Sequence, residues 1–428
     1  MDLYETIRLL CNFSTFLLLI GIISKVIKEK YLIVTSLVFW FTFFYFFYIS
    51  FSCFFIEEIN TRWNFSNQTL SLSRVLVFFY NIFFTFLITK CCNVDKTIKQ
   101  EIVIKERYSF VYILALAIEF FASFVIIVAI LKLVSLRRAT TGVAAYFKIR
   151  DYAGILEKSF HIRLFLYLLL SSSFYLYMKK RRIVFFMPLF LIVTFETLAN
   201  QRTTAFIVLL YVYVMYVCIK KKLQIKIIVP LLFLLLIGVL FTRAAALMMN
   251  VDVNIVFGEF FETFTTIPYM IEHNLMGAGF NLERALCDYT FATFIPGSIR
   301  LAIASYKSTG AEMAMIIGRG YGLASNFIFE PVFQFGYLGF FISLFIPLLL
   351  VEFDIKLKGW GNLLIKVLFI FQLRLYIREG ITQFMITFYI FLTYCGLFYF
   401  AHFNQPIISR MRRGKRLSPN FSYIFKCC

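Results

Sequence analysis

The residues best suited to chemistry are arginines and glutamates standing where a charge is costly. Glu119 lies in the middle of a long apolar run, Glu196 and Arg202 bracket a turn between two others, Arg243 closes one, and Arg374 and Arg378 close another. Ionisable groups in hydrocarbon are expensive and mark working sites. An arginine presents a planar fork that grips phosphate oxygens bidentately, where a lysine offers only a point charge. A carboxylate within reach of a hydroxyl can accept its proton. All of these groups except Glu119 fall at one expected depth, which fits a cavity open to one side rather than a proton relay through successive depths.

What must position them is a set of membrane helices. Apolar residues make up 61% of the 428 positions and charged residues 15%, against roughly half and a quarter in soluble domains. One crossing consumes roughly 20 apolar residues, and such runs fill most of the chain. They show no period-2 alternation, so a barrel is excluded and helices must satisfy the backbone. The expected fold is all-α, a polytopic transmembrane helical bundle of about 11 spans (10 to 12). These lie near 9 to 24, 31 to 56, 72 to 89, 108 to 131, 162 to 178, 183 to 199, 203 to 219, 227 to 247, 332 to 352, 361 to 377 and 381 to 402. Residues 1 to 428 read as one membrane domain, with a large extracytoplasmic loop at 248 to 325 and a basic cytoplasmic tail at 403 to 428. Asp2 and Glu5 precede the first apolar stretch and lysines follow it, the reverse of a cleavable signal peptide. Nine cysteines without C-x-x-C, and three histidines, give neither a disulfide framework nor a metal site.

With the amino terminus outside, the inner segments hold 25 of the 43 basic residues, as the positive-inside rule requires. The inner set is 18 Lys and 7 Arg, and the outer set is 4 Lys and 14 Arg. Two readings of that split stand side by side. Inner lysines are headgroup anchors and outer arginines pair with acids, or the outer arginines meet an anionic lipid phosphate. The net charge of +20 reads as membrane anchoring, not nucleic-acid binding.

Two outer segments stand out. Residues 132 to 161 interleave Arg137, Arg138, Lys148, Arg150 and Lys158 with aromatics and read as an amphipathic interfacial helix. Residues 248 to 325 combine acids, among them Glu262 and Glu272, with aromatics such as Tyr269 and with Arg284, Arg300 and Arg319. That mixture suits sugar rings and hydroxyls, and equally an ordinary interfacial helix. His273 reads as a surface histidine.

Residues 318 to 340 read GRGYGLASNFIFEPVFQFGYLGF. Gly318, Gly320 and Gly322 permit a tight backbone turn. Ser325 can cap a helix or bind a ligand, and Gln334 stands one turn from Glu330 on the same face. Gly336 and Gly339 allow another helix to approach. This pattern, placed after a long outer loop, resembles the carboxyl-terminal motif of the O-antigen polymerases, the Wzy-type oligosaccharide repeat-unit polymerases. The matching positions are Gly320, Gly322, Ser325, Glu330, Phe335, Gly336 and Gly339, with Arg202 and Arg378 as counterparts of the family's outward arginines. Gln334 stands where the family often has Asn, and Pro331 directly follows the glutamate, so a helix start or kink is expected there.

The resemblance implies a glycosyltransferase of surface polysaccharide (O-antigen or capsule) biosynthesis in the bacterial cytoplasmic membrane. It would move a growing glycan from its polyprenyl (undecaprenyl) diphosphate carrier to a new lipid-linked unit at the outer face. Glu330, Arg202, Arg378 and Arg319 are then the expected catalytic residues. Arg243, Arg284, Arg300, Gly320, Gly322, Ser325, Glu262, Glu272 and Tyr269 are expected to bind substrate. The base is Glu330 or a loop acid, Glu262 or Glu272. No cofactor and no metal are expected, since no D-x-D occurs. Expected partners are the lipid-linked oligosaccharide, membrane lipid, and the pathway's chain-length regulator and flippase. Alternatives are an O-antigen ligase, for which His273 would be the loop histidine, and a flippase or other secondary transporter.

Overall fold

A computed structural model describes residues 3 to 99, 109 to 139, 143 to 160, 162 to 180, 183 to 199, 203 to 223, 253 to 280 and 326 to 380 of the 428. Every regular element among the described residues is helical. In chain order they are α1 (Leu3–Glu29), α2 (Leu37–Tyr45), α3 (Phe51–Phe54), α4 (Ile56–Trp63), α5 (Asn67–Phe86), α6 (Ser109–Ala139), α7 (Val143–Ser159), α8 (Ile162–Lys180), α9 (Met187–Leu198), α10 (Thr203–Lys220), α11 (Val253–Glu272), α12 (Phe329–Phe335), α13 (Leu338–Ser343), α14 (Phe345–Lys356) and α15 (Trp360–Glu379). A π turn at Phe46–Ser50 joins α2 to α3, and a second at Leu87–Cys91 extends α5.

Five stretches among the described residues are long and apolar enough to cross a membrane: Leu3–Thr35, Leu37–Phe54, Asn67–Cys91, Tyr112–Ala139 and Leu338–Lys356. Their apolar side chains are partly outside the bundle. Phe13, Phe16 and Ile20 of α1 and Phe120, Phe121 and Phe124 of α6 are exposed, as a lipid-facing stripe is. The expected spans at 162 to 178, 183 to 199 and 203 to 219 coincide with α8, α9 and α10, which are shorter in apolar length. The expected span at 361 to 377 is α15, and it carries Lys366, Gln372 and Arg374 buried within it. Those at 227 to 247 and 381 to 402 lie outside the described residues, so five of the eleven expected spans have the length and apolarity of one here.

The described part of the second half is more finely divided than expected. The opening of the segment read as an outer loop, 248 to 325, is the helix α11, whose Thr263, Phe264 and Ile267 are fully buried. It packs on α5, on the π turn at 46 to 50 and on α12. The expected ninth span is not one helix: α12 stops at Gly336 (φ +60°), and α13 and α14 follow. Gly339 of α13 admits a close neighbour, the backbone of Pro331 and Val332 in the adjoining helix α12.

The end of the bundle where α1 finishes is tied by buried polar groups. Asp354 accepts from the Ser36 hydroxyl (2.6 Å) and from the Leu37 and Val38 amides (2.8 and 3.2 Å), so it caps α2 from a helix some 300 residues away in sequence. Lys366 Nζ lies 3.6 Å from Asp354, with both side chains at most 1% exposed. Asp95 accepts from the Gly359 amide at 2.6 Å and caps the turn through Thr97 N at 3.0 Å. Burial pushes the neighbouring Cys92 thiol up to about 12. Lys366, counted above among the headgroup anchors, is thus an interior partner of Asp354.

The opposite end holds the outer-set arginines that are described near α1. Arg74 donates to Glu57 at 2.8 Å, Arg8 lies 3.5 Å from the same carboxylate and 3.4 Å from Glu5, and Arg74 also sits over the Tyr4 ring. Arg137 donates to the Leu198 carbonyl that ends α9. For Arg8, Arg74 and Arg137, pairing with the protein itself is what the structure has.

Candidate functional site

A buried polar cluster lies within the apolar packing where α12 meets α11, α15 and the π turn of the second span. It is anchored by Asn326. The Asn326 side-chain oxygen accepts from the Ile328 and Phe329 amides (3.0 and 2.7 Å), and its amide nitrogen donates to the Thr263 carbonyl and the Thr266 hydroxyl of α11 (2.8 and 2.7 Å). One side chain therefore caps α12 and pins it to α11. Proline is tolerated in a first helical turn, where its missing N–H is not needed, so Pro331 does not kink α12. The helix begins at Phe329, and that start turns Glu330 inward to 1% exposure, with Gln334 a turn later, also at 1%.

α15 forms the facing wall. It ends at Gly380 (φ +80°), and a Cβ there would overlap the Glu330 carboxylate. Only a residue without a side chain brings the backbone to that carboxylate. Arg378 lies two residues before, half-buried, and Arg374 one turn before that, buried. Arg374 Nε donates to the Tyr48 hydroxyl at 2.9 Å, and its guanidinium stands 6.0 Å from the centre of the Tyr48 ring. Tyr48 belongs to the π turn at 46 to 50. Such turns wind one extra residue into a helix and recur at functional sites.

Apolar packing surrounds the cluster. Phe327 sits edge-on to Phe41 and Tyr45, with centroids 5.4 and 6.1 Å apart, and next to Tyr376 at 5.8 Å. Phe327 N donates to the Ile377 carbonyl. Gly277 and Gly279 donate to the carbonyls of Val332 and Phe333, so the turn after α11 clasps α12 from the other side. Helical segments remote in sequence thus bury the Glu330 carboxylate against Gly380 and, on the same helix α15, tie Arg374 to Tyr48.

Of the sequence-predicted residues, Glu330 is buried in this cluster, and Arg378 is half-buried on α15 two residues before the Gly380 that meets it. Tyr269 and Glu272 sit apart from it, at the far end of α11, where Glu272 Oε2 accepts from the Ser66 amide and hydroxyl (3.2 and 2.9 Å). Hydrogen bonds from the hydroxyls of Thr69 and Ser66 hold the Glu272 carboxyl below its ordinary value. Glu262 is exposed on α11. Among the three acids considered as the base, only Glu330 is buried. Arg202, Arg243, Arg284, Arg300, Arg319, Gly320, Gly322 and Ser325 lie outside the described residues. The sequence reading missed Tyr48, Asn326 and Gly380. Asn326 had a signal in its place directly before an apolar run beginning a helix, whereas Tyr48 lies in an aromatic-rich stretch with nothing to single it out.

Among the described residues no group of three or more His, Cys, Asp or Glu side chains could hold a metal ion. The chain matches no known family model, no curated protein and no solved structure.

Proposed function

We propose that this chain is a membrane glycosyltransferase that polymerises oligosaccharide repeat units carried on a polyprenyl diphosphate. The observation that carries the reading is the buried Glu330 carboxylate lying against Gly380, at the end of the helix that presents Arg374 and Arg378. Keeping such groups inside a membrane bundle is costly unless they work.

In the proposed reaction the acceptor sugar's hydroxyl oxygen attacks the anomeric carbon of the donor glycan. The bond from that carbon to the phosphate oxygen breaks, polyprenyl diphosphate leaves, and the hydroxyl proton passes to Glu330. Negative charge grows on the leaving diphosphate, where preorganised guanidiniums are worth most. Arg378 is the described arginine assigned to it, joined by Arg202, Arg243 and Arg319 from the sequence pattern. On this reading Glu330 works toward the outer face of a bacterial cytoplasmic membrane, with the amino terminus outside.

The test is polymerisation by purified protein of a polyprenyl diphosphate-linked repeat unit. Wild type yields a ladder, and Glu330→Gln and Arg378→Lys yield single units. A full ladder from both variants overturns the assignment. A ligase built on His273 would instead lose activity in His273→Ala and keep it in Glu330→Gln.

A further inference from the structure

The turn between α4 and α5 meets the end of α11, and the meeting point has the composition of a sugar seat. Trp63 stands edge-on to Tyr269, with centroids 6.1 Å apart at 75°. The His273 ring lies over Tyr269 at 4.2 Å and is exposed. Beside them Glu272 is held by Ser66, as described above. Both helices stop here through asparagines in the left-handed conformation, Asn64 (φ +53°) and Asn274 (φ +53°), each exposed. The two segments are more than 200 residues apart, and the Ser66 to Glu272 hydrogen bonds hold them together.

We propose that Trp63, Tyr269 and His273, with Glu272 and Asn64, form a binding seat for one pyranose ring of the lipid-linked oligosaccharide, resting on the function proposed above. The faces of a pyranose carry C–H bonds polarised by the ring and hydroxyl oxygens, and they meet the negative face of an aromatic ring favourably. Its rim of hydroxyls needs acceptors and donors in the ring plane, which a carboxylate and an amide supply. A lipid-headgroup anchor is the competing use of tryptophan and tyrosine at a membrane surface. The local charge argues against it. The sequence from 56 to 68 has Glu57, Glu58, Arg62 and the amides of Asn60, Asn64, Asn67 and Gln68, with Glu57 paired to Arg74 and Arg8, and 269 to 280 has Glu272 and no Lys or Arg. A surface whose nearby arginines Arg74 and Arg8 are held by a carboxylate suits neutral hydroxyls better than lipid phosphates.

The experiment uses full-length protein in phosphatidylcholine nanodiscs, titrated calorimetrically with oligosaccharides cut by partial acid hydrolysis from the source strain's surface polysaccharide. His273→Ala and Tyr269→Ala should each weaken binding roughly threefold to tenfold, and Glu272→Gln should weaken it too, with melting temperatures unchanged for the exposed His273→Ala. Thr194→Ala, on the exposed side of α9, should bind as wild type does. Wild-type affinity in His273→Ala and Glu272→Gln overturns the seat, as does the absence of any oligosaccharide binding to wild type. So does a loss in these variants confined to stability in nanodiscs containing phosphatidylglycerol, which would make the rings a headgroup anchor. Because Glu330→Gln tests transfer and the ring variants test binding, the two proposals fail separately.

Discussion

At the scale of single residues, the buried cluster around Glu330 depends on groups whose size or charge cannot change quietly. Gly380→Ala would drive a methyl group into the Glu330 carboxylate and also strain a φ of +80°. We expect loss of polymerisation with destabilisation of about 1 to 3 kcal/mol, read by thermal unfolding in detergent; an active, equally stable variant would show that the close approach is dispensable. Tyr48→Phe removes the hydroxyl that accepts from Arg374. It should cost activity more than stability, whereas Thr194→Ala, on the exposed side of α9, should cost neither.

At the scale of elements, α12 is seven residues long and too short to hold its shape alone. Its cap holds it. Asn326→Ala removes two hydrogen bonds to the start of α12 and two to α11. The expected cost is about 1 to 2 kcal/mol, with hydrogen exchange rising first in 326 to 336; unchanged protection there would mean that the clasp from Gly277 and Gly279 suffices. At the end where α1 begins, the Arg74 hydrogen bond to Glu57 holds that carboxyl below its ordinary 4.5. A depressed carboxylate contributes stability that is present above its unfolded value and lost as pH falls through its folded one. Acidification below about 4.5 should therefore loosen α4 from α5, and Glu57→Gln should flatten that part of the pH profile of melting temperature.

At the scale of the whole molecule, the buried pair Asp354 and Lys366 joins the first span-forming segments to the last described ones. Asp354→Ala would strand a buried ammonium and uncap α2, at about 3 to 5 kcal/mol. Lys366→Met should cost less, because the three donors to Asp354 remain. The double variant should be more stable than Asp354→Ala alone. A strictly additive cycle would mean that the two charges do not feel each other across 3.6 Å.

Much of this was legible in the sequence for a physical reason: lipid demands long apolar helices, and one residue after another reports its preference for that solvent. The five helices able to cross a membrane were readable on those grounds, as was the suspicion attached to Arg374 and Arg378, since a charge next to an apolar run announces its own cost; Glu330 was singled out by the motif it stands in. The sequence left open whether a helix lies within 248 to 325, because a helix buried by protein, as α11 is, carries the threonines and glutamates that a surface segment also carries. Nor could it tell the anchor Lys358, exposed, from the interior Lys366, eight residues on. Those distinctions belong to tertiary structure, which alone decides what lies opposite each side chain. Solvent preference is a property of the residue itself, so it is written locally. The meeting of Glu330 with Gly380, Arg374 with Tyr48, and Trp63 with Tyr269 depends on segments 50 to more than 300 residues apart, and only the folded bundle brings them together.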